Sequence, residues 1–190
     1  MTIQIETLSA RKNGGPAFDL LPVVEALRES REVTYNIRHM GKVRELPSPK
    51  AIREVLEGLL TALFPTHLGP HGLKHDSIDL FVANTLATTL TRLGDQVSRS
   101  LLFGSEEILQ DEAQRTADAI VRGFAAELPA IRATLVGDLK AAQRQDSESE
   151  SLGEVLLCDE GFAALFRHRV ADALHRHGAR LVARIVSRQG

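Results

Sequence analysis

Apolar residues along this chain recur at intervals of three and four rather than two, the spacing of one face of an α-helix. In FDLLPVVEALRESREV (18–33), Leu20, Val23, Val24 and Leu27 predict a helix from about Leu21, with Pro22 in its first turn. TYNIRHMGKVRELPS (34–48) is polar and without period, and reads as a linker. SPKAIREVLEGLLTALF (48–64) carries a full start signal: Ser48 to cap, Pro49 at the first helical position, then a stripe of Ile52, Val55, Leu56, Leu59, Leu60 and Leu63. Pro65 is expected to stop that helix. Leu80, Phe81, Leu86, Leu90, Leu93, Val97 and Leu101 mark another from Ser77 to Phe103. After Gly104, SEEILQDEAQRTADAIVRGFAAEL is predicted to turn Ile108, Leu109, Ala117, Ile120, Val121 and Phe124 inward, and Pro129 to start a further helix. A polar break (146–152), a short helix in LGEVLLC, a stronger one over 160–178 ended by Gly178, and a last one in ARLVARIVSRQ complete the series. The pattern is that of an all-α, multi-helix bundle of about seven or eight helices.

Composition narrows the function classes. Only 4% of the 190 residues are aromatic, and the formal net charge is −2, so no global field draws nucleic acid or an anionic membrane. Cys158 is the single cysteine, which rules out an intrachain disulfide and suits a reducing compartment. The N-terminus lacks a basic-then-apolar signal pattern, and no apolar run nears the roughly 20 residues of a membrane span. The expected location is the cytoplasm. Residues 1–16, ending in KNGGP, read as a flexible arm, and 17–190 as one helical domain. Glycine-rich phosphate loops of the GxGxxG or GxxxxGK type are absent from the sequence.

Four groups of residues invite chemistry. His67, His71 and His75 stand four apart in LFPTHLGPHGLKH. On a helix they would share a face fit for zinc. Gly69, Pro70 and Gly72 among them break such a helix, so the segment reads as a turn between helices, with a metal loop as the alternative. His168, Asp172 and His175 share a helical face; they offer a metal site or a base with its orienting acid, against a plain polar face opposite Phe162, Leu165, Phe166, Val170, Ala173 and Leu174. The C-terminal end is basic, with Arg167, Arg169, Arg176, Arg180, Arg184 and Arg188 against Asp172 alone; Arg180, Arg184 and Arg188 lie on one face, either a phosphate or anionic-lipid patch or a solvated face. Cys158 is followed by Asp159 and Glu160, whose charges would raise its pKa, so it reads as a small buried hydrophobe rather than a nucleophile.

Several stretches, in order over about residues 45–188, resemble the N-terminal helical domain of serine O-acetyltransferases in their larger form. LFPTHLG is similar to that family's Leu-Phe-Pro-x-(His/Tyr)-(Phe/Leu)-Gly loop, and SIDLFVANTLATTLTRLGDQVSRSLLF to the long helix after it. SLGEVLLCDEG matches a Ser-x-x-Glu-Val-(Ile/Leu)-(Phe/Leu)-Cys-Tyr-Pro-Gly stretch, and RHRVADALHRHG the helix that follows. The chain departs from the pattern at Ser147 (usually Pro), at Asp159-Glu160 (usually Tyr-Pro) and at Asp172.

The resemblance implies acetyl transfer from acetyl-CoA to L-serine, the first step of cysteine biosynthesis: the serine hydroxyl attacks the thioester while a histidine takes its proton. It implies that Asp146 is a substrate-binding residue, its carboxylate holding the serine ammonium through charge-assisted bonds. A helix cap is the other reading of Asp146. The family's left-handed β-helix, which binds acetyl-CoA and carries the catalytic histidines, would begin after Gly190. Hence no catalytic, cofactor-binding or metal-binding residue is assigned in this chain, and activity of the 190 residues alone is not expected. The resemblance also implies a homo-oligomer formed through the helices. The alternative is a free-standing helical interaction or assembly module without catalysis.

Overall fold

The computed structural model describes residues 20–33, 45–105, 107–145 and 151–189. Among them, eight α-helices follow one another: α1 Leu21–Val33, α2 Pro49–Leu63, α3 Pro65–Leu68, α4 Ile78–Gly104, α5 Gln110–Gln145, α6 Leu152–Cys158, α7 Glu160–Arg176 and α8 Arg180–Val186. One 3-10 turn, His75–Ser77, precedes α4, and the described residues include no strand, so the fold is all-α. The arm expected at 1–16, and residues 34–44 of the expected linker, lie outside the described residues. The chain divides into two compact units, 1–43 and 44–190.

In the first unit, α1 starts at Leu21 as its spacing predicts, and Leu21, Val23, Val24 and Leu27 are exposed. The second unit holds the whole hydrophobic core. Within it α2 packs on α4, α4 on α5, α5 on α7 and α7 on α8. The stripe Ile52, Val55, Leu56, Leu59 and Leu63 is buried along α2, where it meets Leu93 and Val97 of α4 in one core. Gly58 permits the close approach of these helices, since a β-carbon there would stand 2.2 Å from Thr89 Oγ1.

Local chemistry sets the helix ends. Ser48 caps α2 by accepting a hydrogen bond from the Ala51 amide at 3.3 Å, while its own amide donates to Gln96 Oε1 at 2.7 Å. Ser151 caps α6, and Asp159 caps α7 by accepting from the Phe162 amide at 2.6 Å. The aspartate that breaks the family's Tyr-Pro pattern therefore starts a helix. Gly178, at φ +99°, closes α7: its amide donates to the His175 carbonyl and the Ala179 amide to that of Leu174, the paired bonds of a Schellman motif.

Of the two proline expectations, that for Pro65 is met and that for Pro129 is corrected. Pro129 does not start a helix; α5 runs through it without interruption. Ala117, Ile120, Phe124, Leu128, Ile131, Leu135 and Leu139 form one continuous buried stripe across it. An interior proline costs about 3 kcal/mol, whereas each large apolar side chain withdrawn from water contributes about 1.5–3 kcal/mol. Three such side chains beyond Pro129 outweigh it. Pro129 is also exposed, so water can satisfy the Ala125 carbonyl that loses its donor. Pro65 ends α2 but opens α3, whose first position suits it. Leu109, expected inward, is exposed, and so are Leu165 and Leu80 of the apolar patterns of α7 and α4. Leu109 precedes the first turn of α5, where helical period does not yet apply; Leu165 sits at the edge of the α7 stripe; and buried residues of α4 begin only at Thr89.

Candidate functional site

Phe64, in the Leu-Phe-Pro stretch, organises the region where the sequence motifs meet. It is buried, and its ring meets that of Phe162 edge-on at 6.2 Å, with the planes at 75°. Arg132 of α5 lies over the same ring at 5.5 Å and donates through Nε to the Leu63 carbonyl at 2.7 Å. That carbonyl is one of the last of α2 and has no intrahelical partner, so Arg132 supplies both a C-terminal cap and a cation–π contact. A β-carbon on Gly153 would stand 3.4 Å from His67 Cδ2. The 64–69 loop thus abuts the first turn of α6, and Phe162 joins it to α7. Residues 63–69 and, far from them in sequence, the consecutive stretches 151–158 and 160–166 form one neighbourhood beside α5.

Asp146 directly follows Gln145, the last residue of α5, and the next described residue is the α6 cap Ser151. Asp146 itself lies outside the described residues. Of the two helix ends that flank it, the start of α6 belongs to the neighbourhood just described.

The histidines at 67, 71 and 75 do not share a face. His67 lies in α3, with Nδ1 3.0 Å from the Thr66 hydroxyl. Gly72 turns the chain at φ +76°, and His75 falls in the 3-10 turn. No group of three His, Cys, Asp or Glu among the described residues is arranged to hold a metal ion.

Asp172 of the second group has no hydrogen bond to His168 or His175 among the described residues and accepts from Arg176 Nε at 3.1 Å. Arg176 also grips Glu127 of α5 with two bonds, 3.0 and 2.8 Å, and His177 Nε2 lies 2.6 Å from Glu127 Oε1. Arg176 and, after it, His177 hold the Glu127 carboxyl below the usual carboxylate range, and the same pairing raises Arg176. Gly123 makes room for this, since a β-carbon there would lie 2.6 Å from His177 Nδ1. A second bidentate pair, Arg169 to Asp138 at 2.7 and 2.9 Å, joins α7 to α5 further along. This face is an electrostatic seam between two helices rather than a base with its acid. Sequence spacing did not point to Arg132, Asp138 or Glu127, because each finds its partner 31 or more residues away.

Arg180, Arg184 and Arg188 are exposed, as a solvated stripe would be. Cys158 is exposed, not buried as expected: it is the last residue of α6, whose buried positions are Val155 and Leu156.

No protein-family model matches the chain. It is 34% identical over 147 residues to a plasmid-encoded serine acetyltransferase of Synechococcus elongatus, an alignment that covers 75% of this chain and 46% of that protein. The chain therefore spans a little under half the length of the curated relative it matches, and the resemblance read from its motifs holds along most of its own length.

Proposed function

We propose that this chain forms the helical, serine-side part of a serine O-acetyltransferase, with Asp146 as the carboxylate that receives the substrate ammonium. The observation that carries the reading is the 34% identity sustained over 147 residues to an enzyme of that activity. The meeting of the Leu-Phe-Pro loop, the α6 stretch and the start of α7 around Phe64 supports it, because these are the family-like motifs. In this reading L-serine and acetyl-CoA are the substrates, and the setting is cytoplasmic cysteine biosynthesis. The attack of the serine hydroxyl on the thioester requires a general base. No residue of this chain is assigned that task, nor the binding of acetyl-CoA. Asp146 would fix the amino end of serine through charge-assisted hydrogen bonds, which orients the hydroxyl for attack. No helix among the described residues is long and apolar enough to cross a membrane. The helices would also carry homo-oligomeric assembly. The second reading, an assembly module without catalysis, draws on the self-contained core of residues 44–190.

A chimera separates the two. The matched segment of the Synechococcus elongatus enzyme is replaced by that of this chain, and CoA release from acetyl-CoA is followed with serine varied. The acetyltransferase reading expects turnover in the chimera. It also expects Asp146→Ala and Asp146→Asn each to lower kcat/KM for serine by roughly ten- to a hundredfold, the loss of one charge-assisted contact, with the KM for acetyl-CoA little changed. A folded chimera without turnover supports the assembly module. Wild-type kcat/KM in both Asp146 variants would leave that residue a cap only.

A further inference from the structure

α2 and α7 present matching faces across a cleft of about 690 Å³. From α2 it is lined by Arg53, Leu56, Glu57 and Leu60, and from α7 by Phe162, Ala163, Phe166 and Arg167, each set at intervals of three or four that place it on one helical face. Leu156 of α6 and the chain near Arg188 and Gln189 complete the wall. Leu56, Leu156, Phe162 and Phe166 are core residues, so the floor is apolar. The rim is cationic: Arg53, Arg167 and Arg188 stand against the single carboxylate of Glu57. Arg53 is held by Nε to Gln189 Oε1 at 3.3 Å, and Gln189 in turn donates to the Pro49 carbonyl at 3.4 Å, which ties the Arg188 end of the chain to α2. Four other arginines of this unit have carboxylate partners: Arg92 with Glu54, Arg99 with Glu45, Arg169 with Asp138, Arg176 with Glu127. The guanidinium groups of Arg167 and Arg188 have none among the described residues.

We propose that this cleft is a binding site for a small amphipathic anion, an aliphatic carboxylate whose chain lies on the Leu56–Phe166 floor and whose head group is taken by Arg167 and Arg188. Its volume falls in the range of small-molecule pockets, and the combination of an apolar floor with a few convergent charged groups is what such pockets share. A guanidinium offers paired N–H donors in the geometry of a carboxylate, and it does so at a rim where the head group keeps part of its hydration. The charge imbalance selects an anion over a neutral or cationic amphiphile of the same length. The cleft shares Leu156 and Phe162 with the neighbourhood around Phe64, but the proposal does not depend on the acetyltransferase reading.

The test is calorimetric titration of the 190-residue chain with decanoate below its micelle concentration, with decanol and decyltrimethylammonium as matched probes. Saturable one-to-one binding of decanoate is expected, at least tenfold tighter than either matched probe. The double variant Arg167→Gln/Arg188→Gln alters exposed or half-buried positions and should retain the wild-type circular dichroism while weakening decanoate at least tenfold. Ala163→Leu, which fills the cleft from a helical position, should weaken it likewise. Absence of saturable decanoate binding overturns the proposal, as does equal binding of decanol, or decanoate affinity unchanged in either variant.

Discussion

Arg132 shows how much one side chain can join. Its guanidinium completes the end of α2 through the Leu63 carbonyl and covers the Phe64 ring, while its backbone belongs to α5. Arg132→Met keeps an apolar stem over the ring but loses the donor. Urea unfolding should show a loss of about 1–3 kcal/mol with the m-value unchanged, as for a hydrogen bond to a charged group. A variant as stable as the wild type would mean that the Leu63 carbonyl is equally well served by water. Glu127 gives the pH counterpart. Its carboxyl is held below the ordinary range by Arg176 and then His177, so its ionised form favours the folded chain. That contribution is present above the ordinary glutamate pKa and is lost as pH falls through the lowered value in the folded state. Glu127→Gln should therefore flatten the fall of Tm on acidification below the ordinary glutamate range. Parallel curves for variant and wild type would show that the seam at α7 contributes nothing through this proton.

At the scale of elements, α2 and α4 depend on a missing side chain. Gly58 faces Thr89, a buried and β-branched residue, and a β-carbon at 58 would come within 3.3 Å of Thr89 Cβ as well as overlapping its hydroxyl. Helix propensity alone favours alanine over glycine by about 1 kcal/mol. Overpacking of a close helix contact costs typically 1–3 kcal/mol, so the contact should win. Gly58→Ala is expected to lower stability by about 1–2 kcal/mol in thermal or urea unfolding, and Gly58→Ala/Thr89→Ala to recover part of it by making room. A single variant more stable than the wild type would show that the helices can separate at no cost.

At the scale of the whole chain, the α2 stripe is not available for self-association, because Ile52, Val55, Leu56, Leu59 and Leu63 are buried within the second unit. Among the described residues, α1 carries a run of exposed apolar side chains, Leu21, Val23, Val24 and Leu27. If the chain assembles as proposed, α1 is the element expected to carry it. Sedimentation at tens of micromolar, a range suited to interfaces of ordinary affinity, should give an oligomer for the 190-residue chain and a folded monomer once residues 1–43 are removed. A monomer in both cases removes the assembly role from this helix.

The helices themselves were legible because periodicity and capping are local: the α2 stripe with Ser48 and Pro49, the long α4, and the Gly178 stop all follow from residues within a few positions of one another. The motif order around LFPTHLG and SLGEVLLC was legible as a resemblance, and its reach is matched by the 147 aligned residues. Tertiary structure decided the rest. Local rules break α5 at Pro129, and only the burial of Ile131, Leu135 and Leu139 against other helices keeps it whole. Likewise the sequence offered His168, Asp172 and His175 as a group because they share one helix. Asp172 instead pairs with Arg176, which also reaches Glu127 on another helix, because charge pairing is settled by distance in space. The cleft under Arg53, Arg167 and Arg188 has the same origin, its walls coming from segments more than a hundred residues apart that meet only once the core has formed.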